Sequence, residues 1–199
     1  YNTIERFKNT VEKKFGKAPP IKMMAQEKIE ALQEAAREVI QGKHFEWFIV
    51  PAVQGGAGTS INMNVNEILA NVALGKLGKA PGTYAEIDPI QDANRYQSTN
   101  DVIPTAIHVS ALIMVEKKLI PALEQFCIAI YQKAFEFSDV KKLGRTHLQD
   151  AVPLTLGDEF GGYARQMKLA VERARSLEPR LAELALGGTA VGTGLNAPE

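Results

Sequence analysis

The stretch VIPTAIHVSALIMVEKKLIPALEQFCIAIYQKAFEF, residues 102–137, decides the fold class. Its helical pattern runs well beyond the roughly 8 to 20 residues of an ordinary globular helix, and a second such segment runs from about Leu154 to Leu186. Pro104 fits a first helical turn, whereas Pro121 removes one backbone hydrogen bond and predicts a kink. Helices of this length normally need partners, so the sequence predicts a mostly α protein.

Shorter helices precede the long ones. Apolar residues at steps of three and four predict helices over about residues 4–15, 25–39 and 62–77, with Gly42 and Gly78 ending the second and third. Residues 44–54 lack a helical period and are predicted to be extended, and residues 81–97 carry turn residues typical of a connection. We therefore expect a small helical N-terminal domain at residues 1–94, followed at 95–199 by a second domain of long helices.

Composition excludes several classes of protein. Of the 199 residues 45% are hydrophobic and 23% charged, and 23 Lys and Arg balance 23 Asp and Glu, so no overall charge favours nucleic acid or a membrane surface. No run of apolar residues is long enough to span a membrane. Cys127 is the only cysteine, which excludes an intrachain disulfide and fits a reducing compartment. We expect a cytoplasmic protein without nucleic-acid or membrane partners.

Three polar stretches precede predicted helices: GGAGTS at residues 55–60, QSTND at 97–101 and GRTHLQD at 144–150. Unpaired backbone N–H groups and the helix dipole favour an anion at a helix start. Capping alone explains one such stretch, since Ser, Thr, Asn and Asp are common N-caps. All three stretches together, however, contain more hydroxyl groups than capping requires. This excess predicts that they share an anionic ligand.

Other ligand classes fit poorly. GGAGTS lacks the lysine of a phosphate loop, and neither it nor GGTAVGTG follows a strand, so no nucleotide cofactor is predicted. His44, His108 and His147 are too far apart to predict a metal site. His108 fits a structural histidine on a long helix. His147 stands among polar residues instead, where it can donate a hydrogen bond or carry charge near neutral pH.

Four motifs make the pattern specific. GGAGTSINMNVNEILAN, QSTNDVIPTAIH, GRTHLQDAVPLTLGDEFGGYARQ and GGTAVGTGLN, in this order between residues 54 and 196, closely resemble the aspartase/fumarase superfamily of lyases. GGAGTS and QSTND resemble aspartate ammonia-lyases, whereas LALGGTAVGTGLN is equally similar to fumarases. The resemblance implies anti elimination of ammonia from L-aspartate to give fumarate through an aci-carboxylate intermediate. A fumarate hydratase, an inactive fragment and a helical interaction module are the alternatives.

The resemblance also implies roles for individual residues. Thr59 and Ser60, with Ser98 and Thr99, would bind one carboxylate of a dicarboxylate substrate, and Asn100 would face the leaving amino group. Thr146 and His147 would bind the other end and stabilise charge, which makes them the predicted catalytic residues. No organic cofactor and no metal are implied.

One family signature is missing from these residues. The flexible glycine-serine-serine loop that carries the serine general base, and a carboxylate-binding lysine, does not occur in the 199 residues. Neither His147 nor any other residue is therefore assigned as the base, and this chain alone is expected to be inactive. The resemblance further implies that residues 95–199 are the first part of an elongated helical bundle domain. In the family this bundle lies at the centre of a homotetramer, whose active sites combine signatures from different subunits.

Overall fold

The computed structural model describes residues 24–53 and 56–197 and is mostly helical. The chain divides into two units after Tyr96, and the second unit is Gln97–Leu195. The predicted helix over residues 4–15 lies outside the described residues. The elements of the first unit are α1 (Gln26–Ile40), a 3₁₀ turn (Phe45–Trp47), α2 (Thr59–Lys76) and a π-helical turn (Pro89–Ala93).

The core of the first unit lies between α1 and α2. Small side chains at their contact let the two helix axes approach closely, and the larger residues fill the space that remains. This buried cluster consists of Ala31, Ala35, Ala70, Ala73, Leu74 and Ile87. The apolar period that predicted both helices therefore corresponds to faces that pack on each other.

The ends of α1 and α2 confirm the predicted glycine stops. Gly42 (φ +85°) and Gly78 (φ +67°) both adopt the left-handed conformation that helix C-termini favour. The extended chain predicted for residues 44–54 is only partly correct, because Phe45–Trp47 form a single 3₁₀ turn. Asn64 of α2 holds this segment, since its Nδ2 donates to the Trp47 carbonyl at 3.0 Å and its Oδ1 accepts from the Val50 N–H at 3.4 Å.

The long helix of the second unit is interrupted at the predicted proline. It consists of α3 (Thr99–Met114), a π-helical turn (Val115–Leu119) and α4 (Ile120–Glu136), and Pro121 lies in the first turn of α4. Because proline has no N–H, the carbonyl of Lys117 loses its usual partner four residues on, and the ladder widens over one turn. The predicted loss of a ladder bond is thus accommodated as a π-helical turn, and the predicted kink stays a prediction.

A β-hairpin separates α4 from the last helices, and the sequence did not predict it. Strands β1 (Lys141–Thr146) and β2 (Gln149–Thr155) pair antiparallel, with a register shift between Leu143 and Arg145. At Gly144, between them, a Cβ would lie 2.8 Å from the Val152 carbonyl oxygen, so glycine is required there. GRTHLQD is therefore part of a hairpin, and the prediction that it immediately precedes a helix is wrong.

The second predicted long helix is shorter than expected. α5 spans Leu156–Arg175, a turn follows, and α6 is the single turn Glu178–Leu181. Pro179 explains the break, because a proline at this point fits only the first turn of a new helix. The helix predicted from Leu154 to Leu186 is thus corrected at both ends.

The helices of the second unit bury little of their apolar surface within the described residues. α4 and α5 pack on each other around Ala164, with Phe137 and Phe160 edge to face at 5.4 Å. None of the described helices is long and apolar enough to cross a membrane. Several large apolar side chains of α3 and α4 are nevertheless exposed: Ile107, Ile113, Met114, Phe126, Ile128 and Phe135. This surface fits the prediction that the long helices need partners.

Candidate active site

Helix α2 begins at a glycine. Gly58 has φ +83° and occupies the N-cap position, but it has no side chain to accept a hydrogen bond from the first turn. Thr59 and Ser60 follow as the first two helical residues, and both are exposed. The preceding Gln54 and Gly55 lie outside the described residues. The start of α2 thus presents two hydroxyl groups beside backbone N–H groups that no side chain caps.

A cavity of about 310 Å³ opens beside these hydroxyl groups. Glu67 is its acidic member and lies seven residues from Ser60, which corresponds to about 10 Å along a helix. At that separation salt screens much of its repulsion of a bound anion. The lining residues are Ile49, Val50, Thr59, Ser60, Met63, Asn64 and Glu67.

Two asparagines of α2 have a structural role. Asn62 and Asn66 lie one helical turn apart, each is 4% exposed, and both donate through Nδ2 to Oδ1 of Asn94, at 3.2 and 3.1 Å. One side-chain oxygen thereby fixes the connecting chain on α2. Sequence reasoning missed Asn94, because nothing near it in the chain distinguishes it from an ordinary turn residue.

Ser98 caps α3. Its Oγ accepts from the Asn100 N–H at 3.1 Å, and Oδ1 of Asp101 accepts from the Ser98 N–H at 2.9 Å, which together make a capping box. The hydroxyl oxygen of Ser98 therefore acts as an ordinary helix cap, as the capping interpretation of QSTND predicts. Its hydroxyl hydrogen is not used in the cap, so Ser98 can still donate to a ligand.

Asp101 does more than complete this cap. It is 1% exposed, and its Oδ2 accepts from the Thr189 N–H at 2.8 Å. Asn100 adds a second link, because its Nδ2 donates to the Ala190 carbonyl at 2.8 Å. The first turn of α3 is therefore tied to the C-terminal glycine loop, residues 187–195, by two neighbouring residues. Sequence reasoning included Asp101 only as the last letter of QSTND.

Thr146 and His147 lie at the tip of the hairpin, both exposed. Thr146 ends β1, and His147 (φ +50°) and Leu148 (φ +59°) form the two-residue turn to β2. A turn with two positive φ values favours Asn-Gly, so His-Leu stores backbone strain. Leu148 is 99% exposed and gains nothing from burial.

The start of α5 is closed to an anion. The Leu156 N–H donates to the Val140 carbonyl at 2.8 Å, and the Gly157 N–H donates to the Phe137 carbonyl at 2.9 Å. The Asp158 N–H donates to Oγ1 of Thr155 at 3.0 Å. These donors are satisfied inside the chain, so the third predicted anion-binding helix start does not exist.

The predicted site residues are distributed over both units. Thr59 and Ser60 belong to the first, and the remaining five belong to the second. Within the second unit the structure brings Ser98, Thr99 and Asn100 together on the first turn of α3. In the described part of the chain no hydrogen bond joins Thr146 or His147 to that turn.

The other two histidines have structural partners. The His108 Nδ1 lies 2.9 Å from the Glu183 carbonyl oxygen, as expected of a satisfied histidine. The His44 Nε2 lies 2.7 Å from a carboxylate oxygen of Glu38, and Lys76 lies 3.0 Å from the other oxygen. The hydrogen bond from His44, followed by that from Lys76, lowers the pKa of Glu38 to about 2. The described residues contain no cluster of His, Cys, Asp and Glu that could hold a metal ion.

Comparison with known proteins places these motifs in a family. The family model described as "Lyase" matches residues 4–199. A class II fumarate hydratase from Ralstonia nicotianae is 47% identical over 98% of this chain and 41% of its own length. An aspartate ammonia-lyase from Bacillus subtilis is 49% identical over 84% of this chain and 35% of its own length.

Solved structures agree with the sequence relatives. The class II fumarase of Schistosoma mansoni is 36% identical and superimposes with a TM-score of 0.82, covering 98% of this chain and 40% of that one. The chain thus spans about two fifths of the length of the proteins it matches. The mostly α fold predicted from the long helices is confirmed as the fumarase/aspartase fold. By sequence and by fold, this chain belongs to the lyase family of the aspartase/fumarase superfamily.

Proposed function

We propose that the whole protein is a fumarate hydratase that interconverts fumarate and malate. The observation that carries this proposal is the match to a class II fumarate hydratase over 98% of the chain at 47% identity. The motif LALGGTAVGTGLN is as similar to fumarases as to ammonia-lyases, so it is compatible with this reaction without selecting it. This choice reverses the preference for an ammonia-lyase that GGAGTS and QSTND alone gave.

Aspartate ammonia-lyase is the second candidate, favoured by those two motifs. GGAGTS and QSTND lie at helix starts where the substrate would bind, and a Bacillus subtilis protein with that activity is 49% identical over 84% of the chain. Both reactions have fumarate on one side and differ only in whether water or ammonia leaves. The donors required for the two carboxylates are therefore the same.

The proposed mechanism assigns the carboxylate donors first. In the elimination direction a base removes a proton next to one carboxylate, and the resulting carbanion delocalises its charge into that carboxylate. Donors fixed around this oxyanion are expected to lower the barrier by about 2.7 to 4 kcal/mol each. Thr59 and Ser60 fit this task, because they are exposed at a helix start that lacks a side-chain cap. Ser98 and Thr99 are the proposed donors from the second unit.

Asn100, Thr146 and His147 complete the proposal. Asn100 is assigned to the leaving group, and it keeps one amide hydrogen for that purpose after donating to Ala190. Thr146 and His147 are proposed to bind the second carboxylate and stabilise its charge. Strain at functional turns is common, and the positive φ of His147 is consistent with a turn retained for its side chain. The general base is not assigned to any of these residues.

Assembly follows from the uncovered helices. The exposed apolar side chains of α3 and α4, among them Phe126 and Phe135, require a covering surface. We assign this to a homotetramer in which the long helices of residues 95–199 form a shared bundle. Active sites would then combine residues from different subunits, in a cytoplasmic enzyme.

The experiment compares two products of the full-length protein. Malate formation from fumarate and ammonia release from L-aspartate are measured on one preparation, and the faster reaction identifies the enzyme. Faster ammonia release would select the second candidate, and absence of both activities would refute a lyase of this substrate class. His147→Ala is expected to reduce the rate by about a hundredfold, whereas the adjacent Leu148→Ala is the matched control and should retain it. Equal rates for the two variants would remove His147 from the site.

A further inference from the structure

One buried carboxyl group joins two loops of the second unit. Asp101 is 1% exposed, its Oδ1 accepts from the Ser98 N–H at 2.9 Å, and its Oδ2 accepts from the Thr189 N–H at 2.8 Å. Both oxygens are used, and both donors are backbone amides. Burial of a carboxyl group is costly without such partners, so both hydrogen bonds are needed to hold it there.

Capping does not account for this arrangement, as a second helix of the same unit demonstrates. Asp158 forms the equivalent capping box at the start of α5, where its Oδ2 accepts from the Thr155 N–H at 2.9 Å. Asp158 is exposed. Asp101 is buried and reaches a residue 88 positions away in the chain. The bond to Thr189 is therefore an addition to the cap.

The partner of Asp101 has an unusual backbone. Thr189 is 8% exposed and has φ +57°, a conformation that non-glycine residues seldom adopt. Its Oγ1 donates to the Leu195 carbonyl at 2.9 Å, which closes the C-terminal glycine loop on itself. Asn100 holds the next residue, Ala190, through its side-chain amide. Consecutive residues of α3 thus fix consecutive residues of a loop that is otherwise rich in glycine.

We propose that Asp101 is a positioning residue for the lyase reaction. It holds the C-terminal glycine loop against the first turn of α3, so that Ser98, Thr99 and Asn100 keep one arrangement relative to that loop. Asp101 itself does not contact substrate, because it is 1% exposed and each of its oxygens already accepts from a backbone amide. This assignment rests on the proposed function, since it takes the first turn of α3 to be part of the substrate site.

The test uses the full-length enzyme with the substitution Asp101→Asn. Asparagine preserves the volume but replaces one acceptor with an N–H₂ group, so one backbone N–H faces another donor. We expect kcat to fall by about tenfold or more with a smaller change in KM, since misplaced groups cost mainly in the transition state. Hydrogen exchange in the peptide containing Thr189 is expected to become about tenfold faster. Asp158→Asn removes an equivalent cap and should leave kcat and exchange in this loop within about twofold.

The results of this test distinguish failure of the role proposed for Asp101 from failure of the proposed function. Unchanged kcat and unchanged exchange in Asp101→Asn would overturn the proposal, as would equal effects of Asp101→Asn and Asp158→Asn. A wild-type enzyme without activity on fumarate, malate or aspartate would refute the proposed function instead.

A measurement on the wild type applies if Asp101→Asn does not fold. Succinate, a dicarboxylate that cannot undergo the elimination, is added and hydrogen exchange is followed in residues 187–195. Slower exchange in this loop supports its connection to the substrate site through Asp101. Exchange that succinate does not change, under conditions where it inhibits the enzyme, would overturn that connection.

Discussion

Replacing Gly157 with alanine tests the packing that presents the hairpin. Gly157 lies in the first turn of α5, directly after β2, where the chain passes against the end of α4. An added Cβ would lie 2.5 Å from the Ala134 carbonyl oxygen, and 2.8 and 2.9 Å from Cα and N of Ser138. The shortest contact is about 0.9 Å inside ordinary van der Waals separation, and all three atoms are backbone, so no side chain can move aside.

The expected cost is that of overpacking, about 1 to 3 kcal/mol in the free energy of unfolding. Gly161→Ala in the same helix is the matched control, because no atom lies within 4 Å of its Cβ position. That substitution should stabilise the protein by about 0.5 to 1 kcal/mol, since alanine favours helix. Urea unfolding of the two full-length variants measures the difference. Equal stabilisation by both substitutions would refute the close approach of α4 and α5 at Gly157.

Three further outcomes are expected. The lowered pKa of Glu38 means that its carboxylate stabilises the fold fully above pH 4.5 and loses this contribution as the pH falls toward about 2. In urea titrations the difference in unfolding free energy between wild type and Glu38→Gln should therefore shrink over that interval. A difference that does not depend on pH would contradict this prediction. Asn94→Ala should lower the free energy of unfolding by about 1 to 3 kcal/mol, because the side-chain amides of Asn62 and Asn66 lose their acceptor. Asn94→Asp keeps the acceptor and should lower it less, and equal melting temperatures for the two variants would exclude this role of Asn94. Leu148→Gly should raise the free energy of unfolding by about 1 kcal/mol by relieving a positive φ, and thermal destabilisation would show that Leu148 is not strained.

Local patterns predicted the helices well, because their causes are local. The apolar period over residues 25–39 and 62–77 corresponds to α1 and α2, and Gly42 and Gly78 adopt the expected left-handed conformation. Pro121 disturbs the long helix for a reason visible in one residue. Boundaries were less accurate, since α2 begins three residues before Asn62, at Thr59.

The hairpin was missed because no regular alternation marks it. Strand β2 has five exposed residues in succession before its two partly buried ones, so period two is absent from the sequence. Its pairing depends on Gly144, which leaves room for the Val152 carbonyl across the hairpin. The requirement becomes apparent only when the two strands are side by side. Thr146 and His147 therefore stay predicted site residues, while the local structure predicted for them was incorrect.

The long-range hydrogen bonds of Asn94 and Asp101 could not be found from the sequence. Asn94 acts on residues 28 and 32 positions away, and Asp101 acts on a residue 88 positions away. Separations of this size leave no local signal. The roles of Thr59, Ser60 and the other candidate residues stay predictions that the resemblance implies. The domain division at residue 94 stays a prediction from the turn residues at 81–97.

Internal caps and anionic ligands compete for the same backbone N–H donors at a helix start. The starts of α2, α3 and α5 differ in how far such caps use these donors. Thr155 and Asp158 cap α5, and carbonyl groups from the end of α4 occupy its other donors. At α3 the capping box of Ser98 and Asp101 uses donors of the first turn. Only α2, of these three, begins without a side-chain cap. If a substrate carboxylate binds through backbone amides, it therefore binds at Thr59 and Ser60, and α3 contributes through its side chains. Removing the hydroxyl group of Thr59 should then weaken substrate binding less than removing the hydroxyl group of Ser98, because the backbone amides of α2 remain.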